Sequence, residues 1–241
     1  MSSDLRSAQA FDVADVEFLR HAGKPLLARL YTPHGPGPFP AIVELHGGAW
    51  TQFDRTRGKS LHEALARSGV VVAALDFRQG AEGAYPLSVA DINYGIRWLK
   101  AHAREFKTRP DLVGVSGNST GGHLAMLVAM RPDDPRYASI PLPGQATGVD
   151  ASLRCVVMLW PIINPLSRYH YAKRRLAEHP RRTPRVDAAQ APDSTRRWST
   201  PRNGPRWCQR GGSLRRSRGH LAAVVSNMTS TSAVAREAPR Q

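Results

Sequence analysis

Ser119 lies between glycines in the stretch Gly117-Asn118-Ser119-Thr120-Gly121. An apolar run precedes this stretch and a helical pattern follows it. This is the sequence form of a nucleophile elbow, a sharp strand-to-helix turn that exposes a side-chain oxygen. A serine hydroxyl is a poor nucleophile until a neighbouring base takes its proton. The motif therefore predicts Ser119 as a nucleophile and raises the question of which residue serves as its base.

Two further segments follow apolar runs and carry residues suited to the same chemistry. Residues 46–50 read His-Gly-Gly-Ala-Trp, and a glycine pair lets the backbone turn tightly and point its N–H groups into a pocket. Such donors stabilise the negative oxygen that develops when an acyl carbonyl is attacked. Residues 76–80 read Asp-Phe-Arg-Gln-Gly and lead through Tyr85-Pro86 into a long helical pattern.

The elements that must position these segments alternate along the chain. Short continuous apolar runs occupy residues 40–45, 70–75, 112–115 and 155–160, and such runs are typical of strands covered on both faces in a parallel sheet. Residues 16–21 and 26–31 predict an antiparallel opening pair, and helical patterns cover residues 59–67, 87–106 and 120–130. The alternation predicts an α/β fold with a doubly wound, mostly parallel sheet.

The composition narrows the class of protein. The chain has 241 residues, of which 41% are hydrophobic, and no window approaches the ~18 uninterrupted apolar residues of a membrane span. The first residues lack the basic and apolar segments of a secretion signal, and two cysteines are too few for a disulfide framework. We therefore expect a soluble, cytoplasmic protein without a membrane span.

The charge distribution separates a tail from the rest of the chain. The net charge is +15, of which +12 falls in residues 171–241. From residue 180 the sequence is rich in Arg, Pro and Ser and shows no helical or strand period, so we expect a domain at 1–179 and a disordered tail at 180–241. The strand at 155–160 would then be an exposed apolar edge through which copies of the chain could associate.

Taken together, the three segments resemble the α/β-hydrolase superfamily, in particular the hormone-sensitive-lipase-like and bacterial feruloyl-esterase-like esterases, over residues 14–170. The resemblance implies a carboxylic ester hydrolase that acts on a small-molecule ester and needs no cofactor or metal. The resemblance implies that Ser119 is the nucleophile and that the backbone N–H groups of Gly48, Ala49 and Thr120 form the oxyanion hole. It also implies that His46 and Gly47 support the oxyanion loop and that Gly117 and Gly121 are the glycines of the elbow.

The sequence does not identify the base and the acid that would activate Ser119. In this family the acid and then the histidine follow later strands, and the candidates after Ser119 are Asp187, Asp193 and Glu237 as acid and His170, His179 and His220 as base. His220 follows a glycine, as the family's histidine loop suggests, but an acid–base pair works only when a rigid scaffold holds it near the hydroxyl. The chain is therefore expected to be either an esterase or an inactive hydrolase remnant.

Three alternatives stay open. Fold signals stop between residues 174 and 185, and Arg-, Pro- and Gly-rich sequence is what a GC-rich gene yields when translated out of frame. We therefore hypothesise that the C-terminal part of the hydrolase is lost or frameshifted, which reading the gene in its other frames would test. A similar His-Gly-Gly-x-Trp segment occurs in arylformamidase-like amide hydrolases. Nucleic-acid binding through the basic tail is less favoured, because the tail has no folded motif and only two tryptophans.

Overall fold

The computed structural model describes residues 9–144 and 148–178 and the backbone of residues 222–226. The chain divides into two compact units, the first formed by residues 1–161 with 222–241 and the second by residues 162–221. Of the second unit, the described part contains helix α4 (Pro165–Glu178). This helix begins where the Asn164 side chain accepts a hydrogen bond from the backbone N–H of Ser167 (2.9 Å).

A seven-stranded sheet organises the first unit. Its strands are β1 (Phe11–His21), β2 (Lys24–Pro33), β3 (Phe39–Leu45), β4 (Val71–Leu75), β5 (Thr108–Asn118), β6 (Cys155–Leu159) and β7 (Ala222–Ser226), in the order β1-β2-β4-β3-β5-β6-β7. The β1–β2 and β2–β4 pairs are antiparallel, and the others are parallel. The carboxyl ends of β3, β4 and β5 therefore meet at one edge, and each of the three sequence segments follows one of these strands.

Three helices cover the sheet: α1 (Lys59–Arg67), α2 (Leu87–Ala101) and α3 (Thr120–Met130). The alternation of side chains along β4 shows which face of the sheet α1 and α2 each cover. Val72 packs with Ala66 of α1, whereas the side chain of Leu75 lies where a Cβ on Gly95 of α2 would stand. Since residues three apart on a strand point to opposite faces, α1 and α2 sandwich the sheet, which is the architecture that the alternating sequence predicts.

Two helices begin and end where the sequence predicts, and one is shorter. Helices α1 and α3 match their predicted bounds, but α2 ends at Ala101 rather than at residue 106. The chain turns there, and the N–H of Thr108 donates to the carbonyl of Ala103 (2.7 Å). Ala103 and Phe106 remain buried, so the apolar pattern continues past the helix because the turn itself packs on the core.

Strand β7 corrects one expectation about the edge of the sheet. Residues Ala222–Ser226 pair in parallel with Cys155–Leu159. The prediction that β6 is an exposed outer edge is therefore wrong, and so is the expected disorder for these five residues. Self-association of the chain stays a prediction, but the exposed edge of β6 no longer supports it. The remainder of 180–241 lies outside the described residues.

Candidate active site

Ser119 occupies a strained turn between β5 and α3. Its backbone angles are φ 53° and ψ −115°, a combination that costs a non-glycine residue about 1–3 kcal/mol and that persists only when the surroundings enforce it. The N–H of Ser119 donates to the carbonyl of Leu159 at the end of β6 (2.8 Å). The Ser119 side chain makes no capping hydrogen bond to α3, so its hydroxyl is not engaged by the helix that it precedes.

Glycines allow the strand, the turn and the helix to approach each other. A Cβ at Gly117 would lie 2.5 Å from the carbonyl carbon of Gly121, and a Cβ at Gly121 would overlap the carbonyl oxygen of Leu45. The first turn of α3 therefore rests directly on the backbone at the ends of β5 and β3. The role of Gly117 and Gly121 as elbow glycines stays a prediction, and this close approach of the two backbones would be its physical basis.

The loop of residues 46–53, here called the glycine loop, lies beside the elbow. A Cβ at Gly47 would stand 3.3 Å from the Cβ of Ser119. Gly48, Ala49 and Trp50 have φ values of 117°, 54° and 63°, so three consecutive residues adopt the left-handed region that side chains disfavour. The turn closes with hydrogen bonds from the N–H groups of Thr51 and Gln52 to the carbonyl of Gly48 (3.0 and 2.9 Å).

The backbone donors of the glycine loop and of the first turn of α3 bear on the predicted oxyanion hole. Within the part of the chain that the structure describes, no acceptor takes the N–H of Gly48, Ala49 or Thr120. The N–H of Thr120 also belongs to the first turn of α3, where the helix dipole favours negative charge. The three groups predicted to form the oxyanion hole thus have no backbone acceptor in the described part of the chain, and they lie on two segments that approach each other at Gly47 and Ser119.

His46 is a buried support of the glycine loop. Its Nδ1–H donates to the carbonyl of Gly47 (2.7 Å), and its ring stacks on Phe77 with centroids 4.4 Å apart. Burial lowers the pKa of His46, against the carbonyl of Gly47 and the carboxylates of Glu44, Asp76 and Asp54, which favour protonation. The role of His46 in supporting the oxyanion loop stays a prediction, to which these contacts are relevant.

The Asp-Phe-Arg-Gln-Gly segment fastens the glycine loop to the rest of the unit. The N–H of Gly80 donates to the carbonyl of Trp50 (2.7 Å), and the side-chain amide of Gln79 donates to the carbonyl of Phe53 (2.9 Å). Just past the loop, Arg55 binds Asp76 through both its backbone N–H and its guanidinium (each 2.9 Å). Sequence reasoning missed Arg55, because its only signal was an arginine nine residues after His46.

Most of the described histidines have other partners near at hand. His21 lies 2.8 Å from Asp91, His34 3.0 Å from Asp12 and His62 3.1 Å from Glu44. The Nδ1–H of His102 donates to the carbonyl of Trp98 (2.9 Å). The His123 ring contacts Trp50 edge-on, with centroids 6.0 Å apart, and His170 is exposed on α4. The other predicted acid and base candidates, namely Asp187, Asp193, Glu237, His179 and His220, lie outside the described residues.

Three further findings concern metal ligands, membrane-spanning helices and the groove nearest to the glycine loop. No metal-binding group of three or more His, Cys, Asp or Glu side chains exists among residues 9–144 and 148–178. The described helices include none that is long and apolar enough to cross a bilayer. An open groove of about 650 Å³ is lined by eight residues between Phe53 and Leu61 and does not include Ser119. The elbow and the glycine loop, rather than this groove, therefore locate the candidate site.

Two curated proteins similar to this chain are ester hydrolases of Mycobacterium tuberculosis. The probable carboxylic ester hydrolase LipM is 35% identical over 103 residues, which make up 42% of this chain and 24% of LipM. The carboxylic ester hydrolase LipN is 35% identical over 139 residues, which make up 55% of this chain and 36% of LipN. The chain thus spans well under half the length of these two relatives.

Solved structures give the same assignment. Esterase 2 of Thermogutta terrifontis with bound propionate is 26% identical, with a TM-score of 0.56 over 68% of this chain and 61% of that one. The same esterase phosphorylated by paraoxon is 27% identical, with a TM-score of 0.56 over 65% and 59%. The BD-FAE family model matches residues 29–176. With its elbow, glycine loop and mostly parallel sheet, the chain belongs to the BD-FAE family and has the α/β-hydrolase fold of the hormone-sensitive-lipase-like esterases.

Proposed function

We propose that this protein is a serine hydrolase that cleaves small-molecule carboxylic esters at Ser119. One observation carries the proposal: the glycine loop approaches Ser119 so closely that a Cβ added at Gly47 would stand 3.3 Å from the Ser119 Cβ, while no backbone acceptor among the described residues takes the N–H of Gly48, Ala49 or Thr120. A nucleophile beside unused donors is the arrangement that acyl transfer requires. The esterases to which the chain is similar support the same reaction class.

The reaction would proceed in two steps. Ser119 Oγ attacks the acyl carbon as its proton passes to a base, and the carbonyl oxygen becomes an oxyanion that accepts hydrogen bonds from Gly48, Ala49 and Thr120. The C–O bond of the ester breaks, and the alcohol leaves with a proton. Water then attacks the acyl-serine, which releases the acid and restores the hydroxyl.

The rate depends on the base that takes the Ser119 proton. Serine proteases that lack triad members retain about 10³–10⁴-fold catalysis over water from the oxyanion hole and binding. We therefore propose two limiting cases with the same nucleophile. In one, a histidine at position 170, 179 or 220 completes an active esterase. In the other, Ser119 is acylated by activated esters and released slowly.

Labelling and turnover test the proposal together. The full chain would be treated with a fluorophosphonate and assayed with 4-nitrophenyl acetate, alongside Ser119→Ala. We expect a covalent adduct on the peptide that contains Ser119 and loss of both adduct and turnover in the variant. Equal turnover in Ser119→Ala, with no adduct on the wild-type peptide, would overturn the proposal.

Histidine variants then separate the two limiting cases. His220→Ala, His179→Ala and His170→Ala would each be compared with the wild type for the rates of acylation and deacylation. A variant that loses turnover but keeps the Ser119 adduct identifies the base. If all three match the wild type, and the wild type shows one burst of 4-nitrophenol without turnover, the chain is a nucleophile without a working base.

A further inference from the structure

We infer that Arg55 is a positioning residue that holds the glycine loop in the conformation that faces Ser119. The inference rests on the proposed function only in that the loop's donors are taken to bind the oxyanion. Arg55 itself touches neither Ser119 nor the donors. It acts through the loop, by connecting the chain that leaves the loop to the carboxyl end of β4 and to strand β1.

The first connection is to Asp76, the residue after β4. The backbone N–H of Arg55 donates to Asp76 Oδ1 (2.9 Å), and its guanidinium donates to Asp76 Oδ2 (2.9 Å). Both carboxylate oxygens are thus bound by a single residue, once through the main chain and once through the side chain. A two-point contact fixes the direction of the chain at residue 55, which a single exposed ion pair does not.

The second connection is to Asp15 on β1. The Arg55 guanidinium donates from Nε to Asp15 Oδ1 (3.1 Å) and from Nη2 to Asp15 Oδ2 (2.9 Å). Arg29 of β2 binds the same carboxylate (2.8 and 2.7 Å). These two arginines lower the pKa of Asp15, with the Arg29 hydrogen bond as the larger cause. Asp15 is therefore held by β2 whether or not Arg55 is present.

The glycine loop needs such fastening because its own conformation is unfavourable. Ala49, Trp50 and Phe53 are non-glycine residues with φ values of 54°, 63° and 71°. A backbone in this region persists only when surrounding contacts enforce it. The loop is fixed at its start by His46 and Gly47 and along its length by Gln79 and Gly80. Arg55 supplies the anchor beyond its carboxyl end.

Arg29 provides a matched control, because both arginines bind Asp15 and only Arg55 reaches Asp76. Arg55→Met and Arg29→Met would be compared by amide exchange of the peptide covering residues 46–53. In Arg55→Met the backbone N–H to Asp76 remains, so we expect a folded protein whose loop amides exchange at least about tenfold faster. In Arg29→Met we expect these amides to exchange within about twofold of the wild type.

Kinetics supply the second readout. For Arg55→Met we expect kcat for 4-nitrophenyl acetate to fall at least about tenfold while KM changes less than about threefold, the pattern of a group needed for the transition state rather than for uniform binding. Asp76→Asn should give a similar loss, and the double variant should be no worse than Arg55→Met alone, because Arg55→Met has already broken the side-chain link to Asp76. Arg55→Lys should recover part of the activity, since an ammonium can reach one carboxylate.

The outcomes decide the inference independently of the proposed function. If the wild type shows no Ser119 adduct and no turnover, the proposed function fails, but the exchange of residues 46–53 still reports whether Arg55 fastens the loop. Equal exchange and equal kcat in Arg55→Met and Arg29→Met would show that Arg55 only braces β1, and the inference would be wrong. Additive losses in the Arg55→Met/Asp76→Asn pair would contradict it as well.

Discussion

The backbone of Gly47 lies against the side chain of Ser119, so that a Cβ at position 47 would stand 3.3 Å from the Ser119 Cβ and 2.9 Å from Asn118 Oδ1. Two segments separated by 72 positions along the chain thus lie side by side at the carboxyl edge of the sheet. The absence of a side chain at residue 47 sets the distance between the predicted nucleophile and the donors of the glycine loop.

Gly47→Ala should damage activity more than stability. The added Cβ crowds the Asn118 carbonyl oxygen at 3.1 Å as well as Ser119, so the loop must shift by a few tenths of an ångström. A misplacement approaching 1 Å near reacting groups costs about 10²-fold in rate, and we expect a loss of about 10- to 100-fold in kcat/KM. Ester turnover and a urea melt measured on the same sample check this.

Gly114→Ala is the control for crowding away from the elbow. Its Cβ would stand 2.8 Å from the Cδ1 of Ile42 and would overlap the Cys155 sulfur. Overpacking of this kind costs about 1–3 kcal/mol in the free energy of unfolding, while turnover per folded molecule should stay near the wild-type value. Equal loss of activity in the two glycine variants would argue against a special contact at Gly47.

Ser119→Gly should raise the free energy of unfolding. The angles φ 53° and ψ −115° are strained for serine but accessible to glycine, and relief of this strain, less the greater flexibility of unfolded glycine, should give about 1 kcal/mol. Ser119→Ala keeps the Cβ and should leave stability unchanged. Ala64→Gly, at an exposed and ordinary position in α1, should lose about 0.5–1 kcal/mol. Urea unfolding of the three variants tests the sign at each position.

The stability contribution of His46 should depend on pH. Burial lowers its pKa in the folded protein below the ordinary value of 6.5. Between the two pKa values the unfolded chain binds more protons, so the free energy of unfolding falls as the pH drops below 6.5. His46→Gln lacks this titration, and the gap in urea midpoint between wild type and variant should narrow on acidification. A gap that stays constant from neutral to mildly acidic pH would contradict the assignment.

Two Arg–Asp pairs of similar geometry should differ widely in their effect on stability. Asp91 is fully buried and accepts hydrogen bonds from the Arg78 guanidinium and from the Arg78 backbone N–H (3.0 Å), with His21 at 2.8 Å. Asp91→Ala leaves the Arg78 guanidinium without its carboxylate partner and should lower the free energy of unfolding by about 3–5 kcal/mol. The Arg109–Asp111 pair is exposed, so Asp111→Ala should leave the urea midpoint unchanged. Similar midpoints for both variants would refute this ranking.

Local sequence determined the elements of this fold well because their boundaries carry local chemistry. Helix α3 begins at Thr120 since the elbow at Ser119 forces the strand to stop, and α1 begins after Gly58, whose φ is 100°. Strand β7 was not predicted, because the stretch at 221–225 has too few apolar residues to indicate a strand until β6 provides a partner.

The candidate site also has parts that local sequence predicts and parts that it does not. The roles of Ser119, Gly47 and His46 are predicted from motif chemistry alone and stay predictions. The link from Arg55 to Asp76 depends on where β4 ends relative to the glycine loop, which no local pattern encodes. The identity of the base stays a prediction at His220, and the hypothesis of a shifted reading frame stays one as well.

The N–H of Ser119 donates a hydrogen bond to the carbonyl of Leu159 (2.8 Å). The elbow therefore depends on a residue that is synthesised 40 positions later. A nascent chain that ends before Cys155 has no acceptor for that amide, so the hydroxyl cannot yet be held in its reactive direction. Chemical competence would therefore arrive late in synthesis, and a reactive-serine probe applied to stalled chains of increasing length would reveal the step at which β6 joins.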